Sequence, residues 1–396
     1  MTDIKEYRDK KADEKSPEEF RKRIMAHRVR TLLLTVVVAV AVISITTGIY
    51  VQIKNQSYSA CVTIASEKKQ QYNGTTLLAY QNGFLTYSKD GISYTDYRGN
   101  AIWNQTYGMQ TPIVAVQDEW VAVGDYNGHI VYTVNAGGSV QEIDTNLPIR
   151  QLAVAANGVV AAVLDDGSAT WIKVYNPNGE NAIGIKTTMQ KSGYPMSVSL
   201  SDTGKLMQVS YLKAESGIMK SVVCFYNFGE VGQNYTDTMV SSYEYANSVI
   251  PFSAFMNAGT AFSVADNRLD IYQDAEIPRS VFQNFLNEEI QDVYYNENYI
   301  GLVFQDTTGK EKYRLDVYDQ NGRKVMTKDF GLEYRDIIFT KDAIVIYDEA
   351  ECILMGLNGK EKYAGSMAEQ TLLLKPLNGK RFLAVTAEAL DILEMK

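Results

Sequence analysis

Two patterns divide the chain. From Thr31 to Ile53 the run TLLLTVVVAVAVISITTGIYVQI contains no Asp, Glu, Lys or Arg. As a helix rising 1.5 Å per residue it reaches roughly 34 Å, enough to cross a bilayer. Val and Ile would favour a strand in water, but in lipid a lone segment satisfies its backbone only as a helix. Beyond Ile53 the pattern becomes short alternating runs of Val, Ile, Leu, Tyr and Phe, separated by NG, DG, GG and NxxG turns. Period-two runs bounded by turn residues predict strands, and no long stretch there keeps a helical period. The expected fold class is all-β.

The strand pattern repeats. Leu269-Asp270-Ile271-Tyr272, Leu315-Asp316-Val317-Tyr318 and Leu390-Asp391-Ile392-Leu393 are near copies. The markers Tyr97, Val134, Tyr175, Tyr226, Tyr272, Tyr318, Leu357 and Leu393 each end a strand before a turn or the chain end. Their separations are 37, 41, 51, 46, 46, 39 and 36 residues. Units of about forty residues have the length of a four-stranded propeller blade. The reading is an eight-bladed β-propeller, with seven blades as the alternative because the second and seventh markers are faint.

Each unit divides into four strands. In the second these are Ile113 to Gln117, Trp120 to Gly124, His129 to Asn135 and Ser139 to Asp144. The last unit offers only Leu372 to Pro376, Arg381 to Thr386 and Leu390 to Met395. An extra strand, near residues 59–64, precedes the first unit. A ring tolerates no free edge, so this orphan is expected to supply the missing outer strand of the last blade. The domain layout is then a tail at 1–30, a membrane helix at 31–53 and a propeller at 54–396.

The strand rhythm and marker turns resemble propellers of the WD40 and quinoprotein-like classes, although no unit carries their full signature. The whole layout resembles a family of Gram-positive bacterial membrane proteins catalogued as domain of unknown function 5711. That resemblance implies an extracytoplasmic, membrane-tethered propeller. It supplies no activity and no catalytic residues to transfer.

Arg21, Lys22, Arg23, Arg28 and Arg30 precede the apolar run, and no acid lies among them. The positive-inside rule places the N-terminus in the cytoplasm and the propeller outside, close to the membrane surface. A cleaved signal peptide is the competing reading. Its apolar core would be about 7–15 residues and would lead to a small-x-small site, which Tyr58-Ser59-Ala60 fits poorly. Ser16-Pro17-Glu18-Glu19 reads as a helix start with Pro at its first position.

Charge and composition then narrow the chemistry. Lys and Arg total 38 against 47 Asp and Glu, a net charge of −9 that argues against a nucleic-acid partner. His129 is the only histidine outside the tail, so multi-histidine metal sites are excluded there, and no G-x-S-x-G elbow accompanies it. Calcium is the one cofactor left open, at Asp125 with Asn127, Asp165 with Asp166, or Asp319 with Asn321. Hairpin turns, which want Asp or Asn before Gly, account for the same residues. Cys61, Cys224 and Cys352 are expected as unpaired and mostly buried thiols, with a Cys61–Cys352 bridge across the closing seam as the alternative. Most of the 27 tyrosines, with Trp103, Trp120 and Trp171, are expected to fill sheets and seams. Sequons begin at Asn55, Asn73, Asn104 and Asn234.

No catalytic, cofactor-binding or metal-binding constellation emerges, and no ligand-binding residue is singled out. The expected function is a binding or scaffold propeller, anchored in the bilayer through Thr31 to Ile53 and recognising an envelope protein or cell-wall glycan. The alternatives are a polysaccharide hydrolase or lyase using funnel carboxylates, and a transmembrane sensor.

Overall fold

The computed structural model describes residues 17–54, 56–68, 72, 74–215, 217–306, 309 and 311–396. Ser16, most of the tail, and the sequons at Asn55 and Asn73 lie outside them. The chain forms two compact units, residues 1–57 and 58–396.

In the first unit one continuous helix spans Pro17–Lys54. Thr31, Thr35, Thr46 and Thr47 donate their hydroxyls to carbonyls of the preceding turn, so these polar side chains are satisfied within the helix itself. Its stretch Ile24–Gly48 is long and apolar enough to cross a membrane.

The second unit is a ring of eight four-stranded antiparallel sheets. Blades 1 to 7 occupy residues 76–106, 112–144, 149–187, 194–246, 252–285, 290–330 and 336–366. Each is a meander from an inner to an outer strand, so its strands are joined by short local turns. Blade 8 takes its three inner strands from Thr371–Asn378, Arg381–Thr386 and Ala389–Met395. Its outer strand is Cys61–Lys68, running antiparallel to Ala389–Met395 from Cys61↔Met395 to Lys68↔Ala389. The closing strand therefore lies two residues later than the sequence places its start. Ser59 and Ala60 instead donate their N–H groups to the Lys396 carbonyl at 2.6 and 3.1 Å, and Lys396 donates back to Ala60 at 2.8 Å.

Alternation along the strands explains why the ring holds. In Arg381–Thr386, Phe382 and Ala384 pack toward blade 7 while Leu383 and Val385 pack toward blade 1. In Ile218–Asn227, Val222, Cys224 and Tyr226 face blade 3 while Val223 and Phe225 face blade 5. Period two thus gives every blade two apolar faces, and eight separate clusters fill the eight seams.

The repeating marker is a turn between the third and fourth strands. Gly99, Gly138, Gly179, Gly322 and Gly359 all stand there at positive φ, between 74° and 84°. Each donates its N–H to the carbonyl three residues earlier, at 2.8 to 3.0 Å. This is a type I turn followed by a left-handed residue, which forms a bulge and favours glycine. Asp96 caps one such turn through the Arg98 and Asn100 N–H groups, and Asp319 caps another through Asn321 and Arg323. Blade 4 replaces the short turn with two 3₁₀ turns, at Gly232–Asn234 and Thr236–Thr238, which lengthens its interval to the next marker.

Candidate functional site

The meander separates two faces. One carries the turns from first to second and third to fourth strands. The other, the loop face, carries the second-to-third turns and the connections between blades.

The acidic turn residues flagged in the sequence are engaged in backbone capping. Asp125 accepts the N–H groups of Gln110 and Thr111, the latter at 2.6 Å. Asp165 accepts from Gly167 and pairs with Arg150 at 3.1 Å, while the same guanidinium donates to Asn127. Asp166 is held well below the usual carboxylate range, first by the Ser168 hydroxyl and the Trp171 indole N–H, then by backbone donors of Ser168 and Ala169. These oxygens are committed to turns, and among the described residues no cluster of three or more His, Cys, Asp and Glu is placed to hold a metal. His129 stands in the turn just before Ile130–Asn135, one residue outside the strand expected for it, and its Nδ1 lies 3.1 Å from Asp144.

Cys61, Cys224 and Cys352 are free thiols. Burial pushes Cys224 up to about 11 and Cys352 up to about 12. Cys61 and Cys352 do share one seam cluster, between blades 7 and 8. The tyrosines divide as expected of sheet residues: Tyr175, Tyr226, Tyr272 and Tyr318 are buried in seams. Trp103 and Trp120 back the turn glycines Gly138 and Gly158 of the next blade. Asn104 lies on an outer strand and Asn234 in the first 3₁₀ turn.

Around the ring axis the inner strands line two cavities. One of ≈470 Å³ is bordered by Gln117, Asp118, Asp202, Tyr295 and Glu297. Gln117 donates to Asp202 at 2.7 Å. The other, ≈550 Å³, is bordered by Tyr294, Asp336, Thr340 and Lys375. Burial raises the Asp336 carboxyl above its ordinary value, against the opposing effect of the Ile337 N–H.

The loop face carries a feature that strand periodicity does not signal. In blade 4 the strands Leu206–Glu215 and Ile218–Asn227 are ten residues each, whereas their neighbours Tyr194–Leu200 and Met239–Ala246 have seven and eight. The last pairs to those neighbours are Tyr194↔Leu212 and Lys220↔Ala246, so the hairpin tip projects beyond its sheet. Ile218 and Met219 are exposed on it. The Asn247 N–H bonds the Met219 carbonyl at 3.0 Å, and exposed Val249 follows two residues later.

Across the seam, blade 5 exposes an aromatic ring on the same face. Arg268 stacks between the rings of Tyr245 and Phe285, at 4.4 and 4.3 Å, and grips Asp270 through two hydrogen bonds of 2.5 and 2.8 Å. Phe285 is held by that stack while remaining 67% exposed. Several charges beside it are matched: Lys220 lies 2.5 Å from Glu215 and 2.9 Å from Glu244, and Arg314 lies 2.9 Å from Glu288. Ile218, Met219, Val249 and Phe285 are the large apolar residues exposed in this region, and together they are the apolar ridge of the loop face.

Comparison with solved structures gives the fold alone. BamB from Moraxella catarrhalis is 12% identical, with 85% of this chain and 100% of that chain covered at a TM-score of 0.51. Apo AztD from Citrobacter koseri is 8% identical, with 74% and 86% covered at a TM-score of 0.50. No curated protein is similar in sequence. One family's sequence profile matches residues 54–395, almost the whole propeller, and the chain belongs to that family, the Family of unknown function (DUF5711).

Proposed function

We propose that this protein is a single-pass membrane protein with its N-terminus in the cytoplasm, displaying the propeller outside as a scaffold that recognises another envelope protein. The observation that carries this reading is the loop-face ridge of Ile218, Met219, Val249 and Phe285. Large apolar residues exposed together on one face of a protein mark association surfaces. Because several neighbouring charges already have partners, a partner gains by apolar burial, with an aromatic anchor at Phe285. A rigid ring presents the ridge with little ordering cost, and an anchor in the membrane raises its effective concentration for a partner there. The basic flank Arg21 to Arg30 supports the topology.

The test is in-cell photocrosslinking of the full chain from positions 219 and 285, with mass spectrometry of attached peptides and glycans. One protein recovered from both positions, and lost in the Met219→Asp/Phe285→Asp double variant, supports the reading. Recovery of wall glycan alone would overturn it. The hydrolase reading rests on Asp336, whose burial favours the protonated acid such chemistry uses. It would replace the scaffold if the purified protein cleaved wall glycan and lost that activity in Asp336→Asn.

A further inference from the structure

A third cavity lies where the ring closes. Between blades 8 and 1 lies an open cleft of ≈480 Å³ bordered by the polar Gln81, Asn82, Tyr97, Lys375, Asn378 and Arg381 and the apolar Leu377 and Ile392. This is the size of a small-molecule site. It opens among first-to-second-strand turns, on the face opposite the apolar ridge. In a chain with 47 acids, none borders it.

Its cations differ in how they are satisfied. Arg381 is matched by Glu394 at 3.2 Å, and Glu394 is shared with Lys380 at 3.3 Å. The Tyr97 hydroxyl accepts from Arg98 at 2.9 Å. Lys375 has no hydrogen bond or ion pair among the described residues, although it is half-buried on the inner strand Thr371–Asn378. Several other half-buried ammonium groups find partners, as Lys220 does with Glu215 and Glu244 and Lys328 with Glu361 at 2.6 Å. Asp336 borders the axial cavity that Lys375 also reaches, yet no ion pair joins them. Burial draws the Lys375 ammonium below its ordinary pKa, the sign of a charge kept without compensation.

We propose that this closing-seam pocket binds a small organic monocarboxylate, with Lys375 as its counter-ion. One unmatched cation calls for one negative charge. The amides of Asn82 and Asn378, with the second N–H of Gln81, whose nitrogen already donates to the Asp118 carbonyl at 2.7 Å, offer donors for the remaining carboxylate lone pairs, and Leu377 with Ile392 forms an apolar wall for the ligand's body. The inference is independent of the protein-docking ridge, which lies on the other face and involves none of these residues.

The test uses the full-length protein in detergent with 4-fluorobenzoate as probe, read by ¹⁹F NMR titration, and 4-fluorobenzamide as its neutral isostere. Saturable binding of the benzoate is expected, at least tenfold tighter than the amide. Lys375→Met should weaken it at least tenfold, Lys375→Arg should retain most of it, and Lys380→Met, outside the pocket lining, should leave it unchanged. Lys375→Gln serves as the second neutral variant, with the melting temperature of each confirming the fold. Equal binding of the two probes, absence of saturation, or full binding by a folded Lys375→Met or Lys375→Gln protein would each overturn the proposal.

Discussion

The seam between blades 4 and 5 and the seam between blades 8 and 1 solve the same packing problem with different completeness. In the first, Leu206, Val223, Phe225, Phe255 and Tyr272 interlock, with Phe225 and Tyr272 rings 5.0 Å apart. Tyr245 and Tyr272 share a buried 2.6 Å hydrogen bond there. In the second, the fully buried cluster is smaller, Phe84, Leu373, Leu383, Val385 and Leu390 with partly buried Tyr72, Leu77, Tyr97, Leu377 and Ile392 packed against it, and the pocket around Lys375 adjoins it. The closed seam is built of chain that is continuous through both blades. The open one joins the last blade, completed by the first strand, to its neighbour. Dense aromatic packing serves stability, whereas an underfilled seam lined by cations leaves room for a ligand.

The largest break in this comparison is expected at Arg268. Arg268→Ala removes the partner of buried Asp270 and the support behind Phe285 together, and stranding a buried charge costs about 3–5 kcal/mol. Urea denaturation should show that loss, and crosslinking from position 285 should weaken with it. A fully neutral substitution effect would mean that the stack is peripheral to the seam.

A matched pair of truncations sharpens the contrast. Leu206 and Leu383 are both fully buried, one in each seam. Leucine-to-alanine losses run from about 2 to 5 kcal/mol, depending on how well the site collapses around the void. Leu206→Ala should fall toward the upper end, about 4 kcal/mol, because the aromatic cluster around it cannot move in. Leu383→Ala should cost about 2–3 kcal/mol, because the neighbouring pocket gives the seam room to relax. Equal losses in denaturant titrations would remove the packing difference.

A third substitution probes the glycine marker turn, which recurs in blades 1, 2, 3, 6 and 7. Gly322 has φ +78°, and a Cβ there would stand 2.1 Å from the Phe282 ring of the preceding blade. Gly322→Ala should therefore cost about 1–3 kcal/mol, combining backbone strain with a ring that must shift. An alanine at Gly167, which has a similar φ but nothing within 4 Å, should cost less. The difference between the two isolates the packing part.

These elements also show what the sequence makes legible. Five of the eight blades are readable because their marker turn needs glycine at one φ with Asp or Asn close by, and both constraints act locally. The Leu-Asp-Ile repeat is readable for the same reason, but its meaning is not. Asp270 is gripped by Arg268 and Asp316 by Lys324 at 2.7 Å, whereas the Oδ1 of Asp391 has no hydrogen-bond partner. The ridge was illegible because Met219 and Phe285 obey ordinary strand alternation, and their exposure depends on a hairpin outrunning its neighbours. Lys375 sits in Leu372-Leu373-Leu374-Lys375-Pro376 as one polar position within an expected strand. Only the fold reveals which groups fail to reach it.

Lys375 gives the smallest expected effect and the one with the most distinctive pH dependence. A lysine whose folded pKa lies below its unfolded value binds its proton less well in the native state, so protonation favours unfolding. The penalty is fully present below the folded pKa, hence at neutral pH, and it vanishes once pH exceeds the unfolded value near 10.4, where both states are neutral. Lys375→Met should thus stabilise the protein at pH 7, by less than about 1 kcal/mol because the side chain is only half-buried and water screens it. The gain should shrink as pH rises toward 10. Melting curves of the two proteins across pH 7 to 10 would trace it. A residue that lowers the stability of its own seam while its removal abolishes carboxylate binding has its physical role in the pocket. A Lys375→Met protein that is less stable at pH 7 would instead assign the lysine to the packing of blade 8.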